Sequence, residues 1–572
     1  MAEPGTYHCD VLVIGSGVAG LTAAITAAKA GLRVLLVEKE PVYGGTTATS
    51  GGTMWIPGNR HSAALAEKLG VADDTDRARR YLQSEAGNFI ELSRVDTYLR
   101  YGTEAVDFLE RETELKLHAV HYPDYRCESE QASVVRSIRP FDYQASKLGK
   151  HYATLKGQLP QTLFLGIAFG SLNGPRMKNL LRAGTSLKSF LYTVGMIGAH
   201  VLDVLRHGHA ENLYNGRALV ARLAKTFFDL KIPLWLSSPA ASLIEQDGRV
   251  CGAVVRTPRR DMRVQAARAV VLAAGGYPGD DARRRATYPV ASVSANLRTP
   301  TPMGNTGDGI RLAESVGGIF SNHVTTQGAW MPVSVNPRIS GPAGVWPHLN
   351  DRQKPGFICV LKDGSRFDNE SDSYHDFVQH LVAACEGQEE AACWLIGDWK
   401  AVRRFGIGFA KSYPVPYRQH LRSGYVIKGR SLADLAEQLS IDPAVLDATV
   451  RDFSQNAARG EDPAFGRGSR SYDLSQGDDE HKPNPCLAPL TEAPFFAVRV
   501  VPGEIGTFAG LRTNEMAQVI TAAGTPVDGL YAVGNDALSV FAGAYPGAGG
   551  TLGPGLVFGY LAARHIAGLV PA

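Results

Sequence analysis

Cysteine is scarce and scattered, with seven in 572 residues, at positions 9, 127, 251, 359, 385, 393 and 486. Their number is odd and none are spaced C-x-x-C, so neither a disulfide framework nor a thiolate metal site is expected, and a reducing, cytoplasmic compartment is. No excess of either charge exists: 59 Lys+Arg against 56 Asp+Glu leave a net charge of +3. Without a concentrated basic face, no nucleic-acid partner is expected. The nearest basic clusters, Arg259/Arg260 and Arg283/Arg284/Arg285, are short, lie beside turn signals and read as solvated surface. No uninterrupted apolar run reaches the roughly 18 residues that a spanning helix needs. No basic segment, apolar stretch and cleavage site precede the first strand, so no signal peptide is expected. What is plentiful is glycine: 62 residues, against the roughly 7% of an average protein. They cluster at a few tight turns, as where backbone must lie against a large bound molecule.

The length implies two to four folding units. The first fifty residues read strand 9–14, turn Gly15–Gly20, Ala-rich helix 21–30, a stop at Gly31, then strand 33–37. This is one βαβ unit, whose right-handed crossover makes the strands parallel neighbours. Residues 62–115 are helical in pattern, and 126–215 look like an insertion, irregular at first and then helical. A helix from Ala218 precedes strands at 234–236, 241–245, 250–256 and 269–274. Between 286 and 485 turns and prolines are frequent, and helices alternate with short strands. Near Pro494 the sheet-like pattern resumes, with strands at 495–501, 518–520 and 530–533 before a final helix. The expected fold class is α/β. A discontinuous, Rossmann-like cofactor domain spans 1–285 (with the helical insertion 126–215) and 486–572, around an inserted α+β substrate domain at 286–485.

Gly15-Ser16-Gly17-Val18-Ala19-Gly20 has the G-x-G-x-x-G form, follows a strand and opens a helix. Glu38 ends the second strand, where a carboxylate holds the ribose hydroxyls of a dinucleotide. The glycines admit the pyrophosphate to the helix N-terminus, where free N–H groups and the helix dipole favour negative charge. Glu38-Lys39 is followed by a second loop rich in Gly, Ser and Thr, from Gly44-Gly45-Thr46-Thr47 to Ser50-Gly51-Gly52. A nicotinamide enzyme has no need of one there. A flavin enzyme does, to seat the ribityl chain and the isoalloxazine edge, so FAD is the expected cofactor. Ala240, Ala274-Gly275, Gly534-Asn535 and Gly550-Thr551-Leu552 are further expected contacts.

Together these loops resemble the fumarate reductase/succinate dehydrogenase flavoprotein superfamily over nearly the whole chain. Members that hold FAD covalently use a His in the loop that here reads Thr47-Ala48-Thr49, so non-covalent FAD is implied. Dicarboxylate reducers carry an Arg in the C-terminal Gly-rich stretch, where a bidentate guanidinium suits a carboxylate. The stretch Ala544–Pro554 has no cation, which favours a neutral, carbonyl-bearing substrate.

Tyr545-Pro546-Gly547-Ala548-Gly549 resembles the Tyr-Pro-Gly-x-Gly signature of the 3-ketosteroid Δ1-dehydrogenases. The resemblance assigns the Tyr545 hydroxyl and the Gly549 N–H to the 3-keto oxygen, as an oxyanion hole. The segment Arg366–His375 resembles that family's catalytic-domain segment and makes Tyr374 the base. Tyr122-Pro123-Asp124-Tyr125 resembles its Tyr/Phe-x-Asp-Tyr motif and makes Tyr125 the second active-site tyrosine, with Tyr122 close enough to compete. Ala548, where the family favours Pro, and Cys127 are departures. A tyrosine of ordinary pKa, about 10, is a poor base; a neighbouring phenol donating to it would lower that value. His375 reads as a core or surface histidine in preference to a proton relay, and Glu370 and Asp372 as solvated or capping.

The implied reaction removes a C2 proton and a C1 hydride, the latter to the flavin, and electrons then leave to a quinone or other acceptor. A Δ4-dehydrogenase of saturated 3-oxosteroids, an enoate reductase and a non-catalytic flavin-binding module stay open as alternatives. The stretch 187–205 is mostly apolar but broken by Lys188 and Asp203. It reads either as a helix packed on the FAD domain or as a peripheral membrane contact, with Leu163–Phe169 on the same surface.

Overall fold

The structure, a computed structural model, describes residues 5–164, 167–168, 179–180, 182–184, 186–288, 296–413 and 415–570. In chain order, the elements that frame the site begin with β1 (Thr6–Ile14), α1 (Val18–Lys29), β2 (Val34–Val37) and β3 (Met54–Trp55). They continue with α2 (Leu92–Glu112), β4 (Leu117–Ala119), β5 (Ser137–Pro140), α3 (Leu187–His207) and α4 (Asn215–Asp229). Four strands follow, β6 (Leu234–Trp235), β7 (Ala240–Gln246), β8 (Arg249–Arg256) and β9 (Asp261–Leu272). Next come β10 (Gly328–Val335), β11 (Val345–Pro347), β12 (Phe357–Val360), α5 (Tyr374–Ala384), β13 (Cys393–Gly397) and β14 (Ile427–Gly429). The chain closes with β15 (Phe495–Thr507), β16 (Gln518–Ile520), β17 (Pro526–Ala532) and α6 (Leu552–Ile566).

The first sheet runs β6-β2-β1-β9-β8-β7, with β17 on the end of β9 and β16 on β17. Its centre is parallel: β1 pairs with β2 and β9, and β17 pairs with β9. Helices on one side and strands and loops on the other leave the second half of β1, Val11–Ile14, buried on both faces, so it is apolar throughout, not alternating. Val11 and Val13 face the core under α1, α4 and α6; Leu12 and Ile14 face the core beneath β8 and Ile310. The strand expected at 269–274 starts earlier, at Asp261. Its first half forms a hairpin with β8, Arg256 opposite Asp261, and alternates exposed and buried residues as a half-covered strand does.

The second sheet is antiparallel, β11-β10-β15-β13-β12, with β14 also on β15. This corrects the expected return to the cofactor sheet at 495. The first half of β15 pairs with β13 and β14 and the second half with β10. An apolar run carries no label for its sheet, and pairing partners far away in sequence made the choice. The return to the first sheet is made by β16 and β17.

Helix α3 is inverted relative to an ordinary packed helix. Its buried residues are Ser189 and Thr193, while Leu187 and Leu205 are 74% and 76% exposed and Phe190, Leu191 and Leu202 are exposed too. The reading as a helix packed on the FAD domain is therefore not what the structure shows. Among the described residues no helix is long and apolar enough to cross a membrane. Of the neighbouring stretch 163–169, residues 165, 166 and 169 lie outside the described ones.

Three expected surface groups are buried. Arg284 pairs with the fully buried Glu504 at 2.9 Å. Asp372 pairs with Arg470 at 3.0 Å. Glu370 takes Arg366 at 2.7 and 2.8 Å, Arg467 at 3.0 Å and the Cys359 N–H of β12 at 3.0 Å. Burial opposes ionisation of Glu370, but the two guanidiniums and the N–H outweigh it and hold its pKa at about 2. A folded-state value below the unfolded one, near 4.5, gives stabilisation that is complete above pH 4.5 and lost as pH falls toward 2. Glu370→Gln should therefore cost about 3–5 kcal/mol near neutral pH by leaving a buried guanidinium under-paired. In thermal melts, the gap between mutant and wild type should narrow below pH 4.5; a gap independent of pH would refute this account.

Candidate active site

One cavity of about 710 Å³ runs from the carboxyl ends of β1 and β2 to the edge of the second sheet. At its cofactor end the turn after β1 is shaped by contact. Gly15 has φ +109°, and a Cβ there would lie 2.2 Å from the Ala273 carbonyl oxygen. A Cβ on Gly20 would meet the Gly15 carbonyl oxygen at 1.9 Å. Gly17 differs: its added Cβ would meet only the Thr47 hydroxyl, at 3.4 Å, so this glycine keeps the cavity open. No side chain caps α1 at Gly17, which leaves the first N–H groups of a buried helix facing the cavity, apart from Val18 N–H, held by Thr47 Oγ1 at 3.0 Å. That is what a pyrophosphate requires.

Glu38 accepts from the Ser16 N–H at 3.1 Å and the Glu40 N–H at 3.0 Å, and Ser16 Oγ accepts from the Gly44 N–H at 3.0 Å. The carboxylate of Glu38 and the two Gly-rich loops are thus one hydrogen-bonded unit. Lys39 reaches Thr306 Oγ1 at 3.0 Å and pairs with Asp308. An uncapped helix start, a glycine cradle and a carboxylate at the end of β2 fit FAD. Ser16, Gly17, Glu38 and the loops 45–52, 274–275 and 534–535 would hold it.

At the other end three tyrosines from distant parts of the chain converge. Tyr125 donates to the Tyr374 hydroxyl at 2.8 Å. Their rings are 5.3 Å apart, and Tyr545 lies 5.4 Å from Tyr125 and 5.5 Å from Tyr374. Tyr472 adds a fourth ring, 5.3 Å from Tyr125. Burial pushes the Tyr374 phenol well above its ordinary value, and the Tyr545 phenol raises it further, while the hydrogen bond from Tyr125 acts downward. Burial also raises Tyr545, opposed by the hydroxyls of Tyr374 and Thr551. The helper phenol therefore works in the expected direction, but burial is the larger effect.

Gly549 has φ +97°, and an added Cβ would lie 2.3 Å from the Thr53 carbonyl oxygen. Only glycine lets this turn sit so close to β3. The Gly549 N–H has no acceptor among the described residues and lines the cavity beside Tyr545.

Buried ions position these groups. Arg136, fully buried over the rings of Trp55 and Tyr81, binds Asp124 at 2.8 Å and Asp73 at 2.7 Å. Asp124 also accepts from Trp55 Nε1 at 2.8 Å and the Ser133 N–H at 2.9 Å. Burial raises its pKa to about 6 despite Arg136. The next residue, Tyr125, is tied by its N–H to the Pro546 carbonyl at 3.1 Å, and Tyr81 Oη binds the same oxygen at 3.0 Å. On the other side, Ser373 caps α5, and its hydroxyl accepts from the Asp376 N–H at 3.1 Å. This fixes Tyr374 as the first residue of a helix. His375 is a core histidine: its Nδ1 accepts from the Trp330 N–H at 3.2 Å, and burial lowers its pKa to about 4.

Of the residues expected to hold the cofactor or to act on the substrate, all but Gly20, Gly44 and Gly550 line this cavity. Gly20 and Gly44 (φ +112°) shape the loops behind the wall, and Gly550 faces a small neighbouring cavity. Tyr122 lines the cavity too, but its hydroxyl accepts from Gln476 Nε2 at 3.0 Å and not from Tyr125 or Tyr374. Four residues were missed. Asp536 is fully buried and accepts from the Gly276 N–H at 3.0 Å and from the Ala274 N–H, clamping the second glycine turn. Asn305 donates to Thr46 Oγ1 at 2.8 Å. Tyr472 and Arg139 line the substrate end. Asp536 follows directly on Gly534-Asn535 and was within reach of motif reading; the others carry no local signal.

The chain matches the family model described as FAD binding domain over residues 10–552. It is 38% identical to the 4-oxocyclohex-2-ene-1-carboxylate 5-dehydrogenase of Sinomonas cyclohexanicum, over 99% of this chain and 95% of the relative. It is 35% identical to a 3-oxosteroid 1-dehydrogenase of Mycobacterium tuberculosis, over 98% of each. Its structure superposes with a TM-score of 0.88, at 33% identity, on the 3-ketosteroid Δ1-dehydrogenase of Sterolibacterium denitrificans in complex with 1,4-androstadiene-3,17-dione, covering 99% of this chain and 100% of that one.

The two glycines of the first turn give separable outcomes. Gly17→Val should fold, because its side chain enters open space, but purify without flavin, read as the ratio of absorbance at 450 and 280 nm. Gly15→Val should lose soluble, folded protein as well. A yellow Gly17→Val protein would contradict the placement of the pyrophosphate.

Proposed function

The chain belongs to the FAD binding domain family, and from that premise we propose that it is a 3-oxosteroid Δ1-dehydrogenase. The observation that carries the reading is the tyrosine cluster: a buried phenol pair, Tyr125 donating to Tyr374, beside Tyr545 and an unused Gly549 N–H. The relatives named for steroids and for a cyclohexenone carboxylate share a ring ketone, and the ring ketone is what this cluster suits.

Tyr545 and Gly549 bind the ketone oxygen. Donors aimed there are worth most when the oxygen gains charge, as the neighbouring carbon becomes acidic. Tyr374 takes the proton from that carbon, and Tyr125 stabilises the phenolate by its hydrogen bond. Bound FAD, held non-covalently, supplies the two-electron acceptor for the hydride. Val120, Met331, Pro347, Leu349 and Ile505 give the substrate end an apolar wall and exclude water from the enolate. The electrons then pass to a quinone or another acceptor. The apolar outer face of α3, with Arg206 and His207 in its last turn, supports peripheral docking on a membrane, where steroid and quinone both dissolve.

Anaerobic mixing with 4-androstene-3,17-dione should bleach the flavin and yield the 1,4-diene. Bleaching only by the 5α- or 5β-saturated analogue would move the double bond to the Δ4 position. Tyr374→Phe should retain FAD and lose roughly 10³-fold or more in the rate of bleaching, in line with loss of a general base. Tyr545→Phe should lose about 10²–10³-fold. Near wild-type rates in either variant would remove that residue from the reaction.

A further inference from the structure

The C-terminal glycine stretch has no cation, but the cavity does. Arg139 of β5 lines its substrate end. Its one side-chain hydrogen bond goes from Nε to Thr53 Oγ1 at 2.7 Å, and no carboxylate compensates its charge among the described residues. Burial lowers its pKa, and the only neighbours that oppose this shift are Tyr122 and Tyr125, whose buried hydroxyls are neutral at ordinary pH. A partly buried guanidinium whose two Nη groups have no hydrogen-bond partner among the described residues, on a cavity wall shared with Val120, Tyr122 and Tyr125, is costly unless something bound there completes it.

Strand register locates that face. β5 runs antiparallel to β3, with Ser137 opposite Trp55 and Ile138 opposite Met54, so Arg139 lies opposite Thr53. Alternate residues share a face, which puts Ser137 and Arg139 side by side about 6–7 Å apart. Ser137 Oγ donates to the Ala548 carbonyl at 3.1 Å, and Thr53 packs on Gly549. Arg139 therefore stands one strand repeat from the ketone clamp. The two other Lys or Arg residues on the wall belong to the cofactor end. Lys39 pairs with Asp308, and Lys156 is bonded through its backbone to Tyr43, next to the second glycine loop.

We infer that Arg139 is a carboxylate-binding residue beside the ketone clamp, so that the cavity takes cyclic ketones carrying a carboxylate across the ring. A residue one strand repeat from the clamp is closer than the far end of four fused rings, so a carboxylate on the ketone-bearing ring is the group it would meet. The inference rests on the proposed ketone clamp and adds a second substrate class to it. The reaction is the same α,β-dehydrogenation. A proton leaves the carbon beside the ketone for Tyr374, two electrons leave the next carbon as hydride for the flavin, and a double bond forms between the two carbons. An artificial acceptor such as phenazine methosulfate then reoxidises the flavin.

The test uses the flavin-loaded full chain and two matched probe pairs. In equilibrium titrations, 4-hydroxybenzoate should bind roughly 10- to 100-fold more tightly than its methyl ester, as expected for charge-assisted hydrogen bonds. In anaerobic mixing, 4-oxocyclohexanecarboxylate should bleach the flavin with a similar advantage over its methyl ester. Arg139→Gln should reduce both acid-to-ester ratios to near one, and Arg139→Lys should restore part of them, which a merely structural role would not do. Ratios near one in the wild type, or an acid preference that survives in Arg139→Gln, would overturn the inference. If the steroid bleaches the flavin and the acid neither binds nor bleaches, the carboxylate subsite fails and the steroid reading stands. If the acid bleaches it and the steroid does not, the steroid reading fails and the subsite stands.

Discussion

The site depends on bringing three phenols from positions 125, 374 and 545 to within a ring's width of one another, and two buried ion clusters hold them there. Arg136 with Asp73 and Asp124 anchors the first tyrosine and, through Pro546, the third. Arg366 and Arg467 with Glu370 anchor the loop ahead of the second. Each cluster satisfies its charges with several hydrogen bonds, which is the condition under which a buried ion pair can be tolerated. Removing any one partner would strand a charge where water cannot reach it.

The same burial sets the chemistry. A phenol in an apolar chamber resists ionisation, so a tyrosine base needs donors aimed at it. Tyr125 supplies one, and the hydroxyl network of Tyr374, Tyr545 and Thr551 extends it. Around this wall the two ends of the cavity offer different groups. The cofactor end offers helix N–H groups and the carboxylate of Glu38. The substrate end offers phenols, an unused Gly549 N–H and the lone guanidinium of Arg139. A ketone, and a carboxylate placed across a ring from it, match that pattern.

Two sheets meet at this cavity, and neither could build it alone. The parallel sheet ends in the glycine turns at 15–20 and 275–276. The antiparallel sheet carries α5 on one side and reaches Pro347 and Ile505 to the cavity wall. Thirteen-residue β15 belongs to the second sheet yet runs on to the Thr507–Gly510 turn beside Asn535, which joins the two.

The local patterns along the chain determined the βαβ unit, its glycine turn, the carboxylate at 38 and the motifs around Tyr125, Tyr374 and Tyr545. These are local: a turn that needs positive φ, or a helix start that needs an uncapped end, is written in consecutive residues. Tertiary structure alone decided which sheet took β15, because an apolar strand is compatible with any buried neighbour. It also decided that Glu370, Asp372 and Arg284 are interior, since a charged residue reads as surface until its partner, up to some 220 positions away, is known. Arg139 is the sharpest case. On its own it is one arginine in a short strand, and only its pairing beside Thr53, which packs on Gly549, places it on the cavity wall.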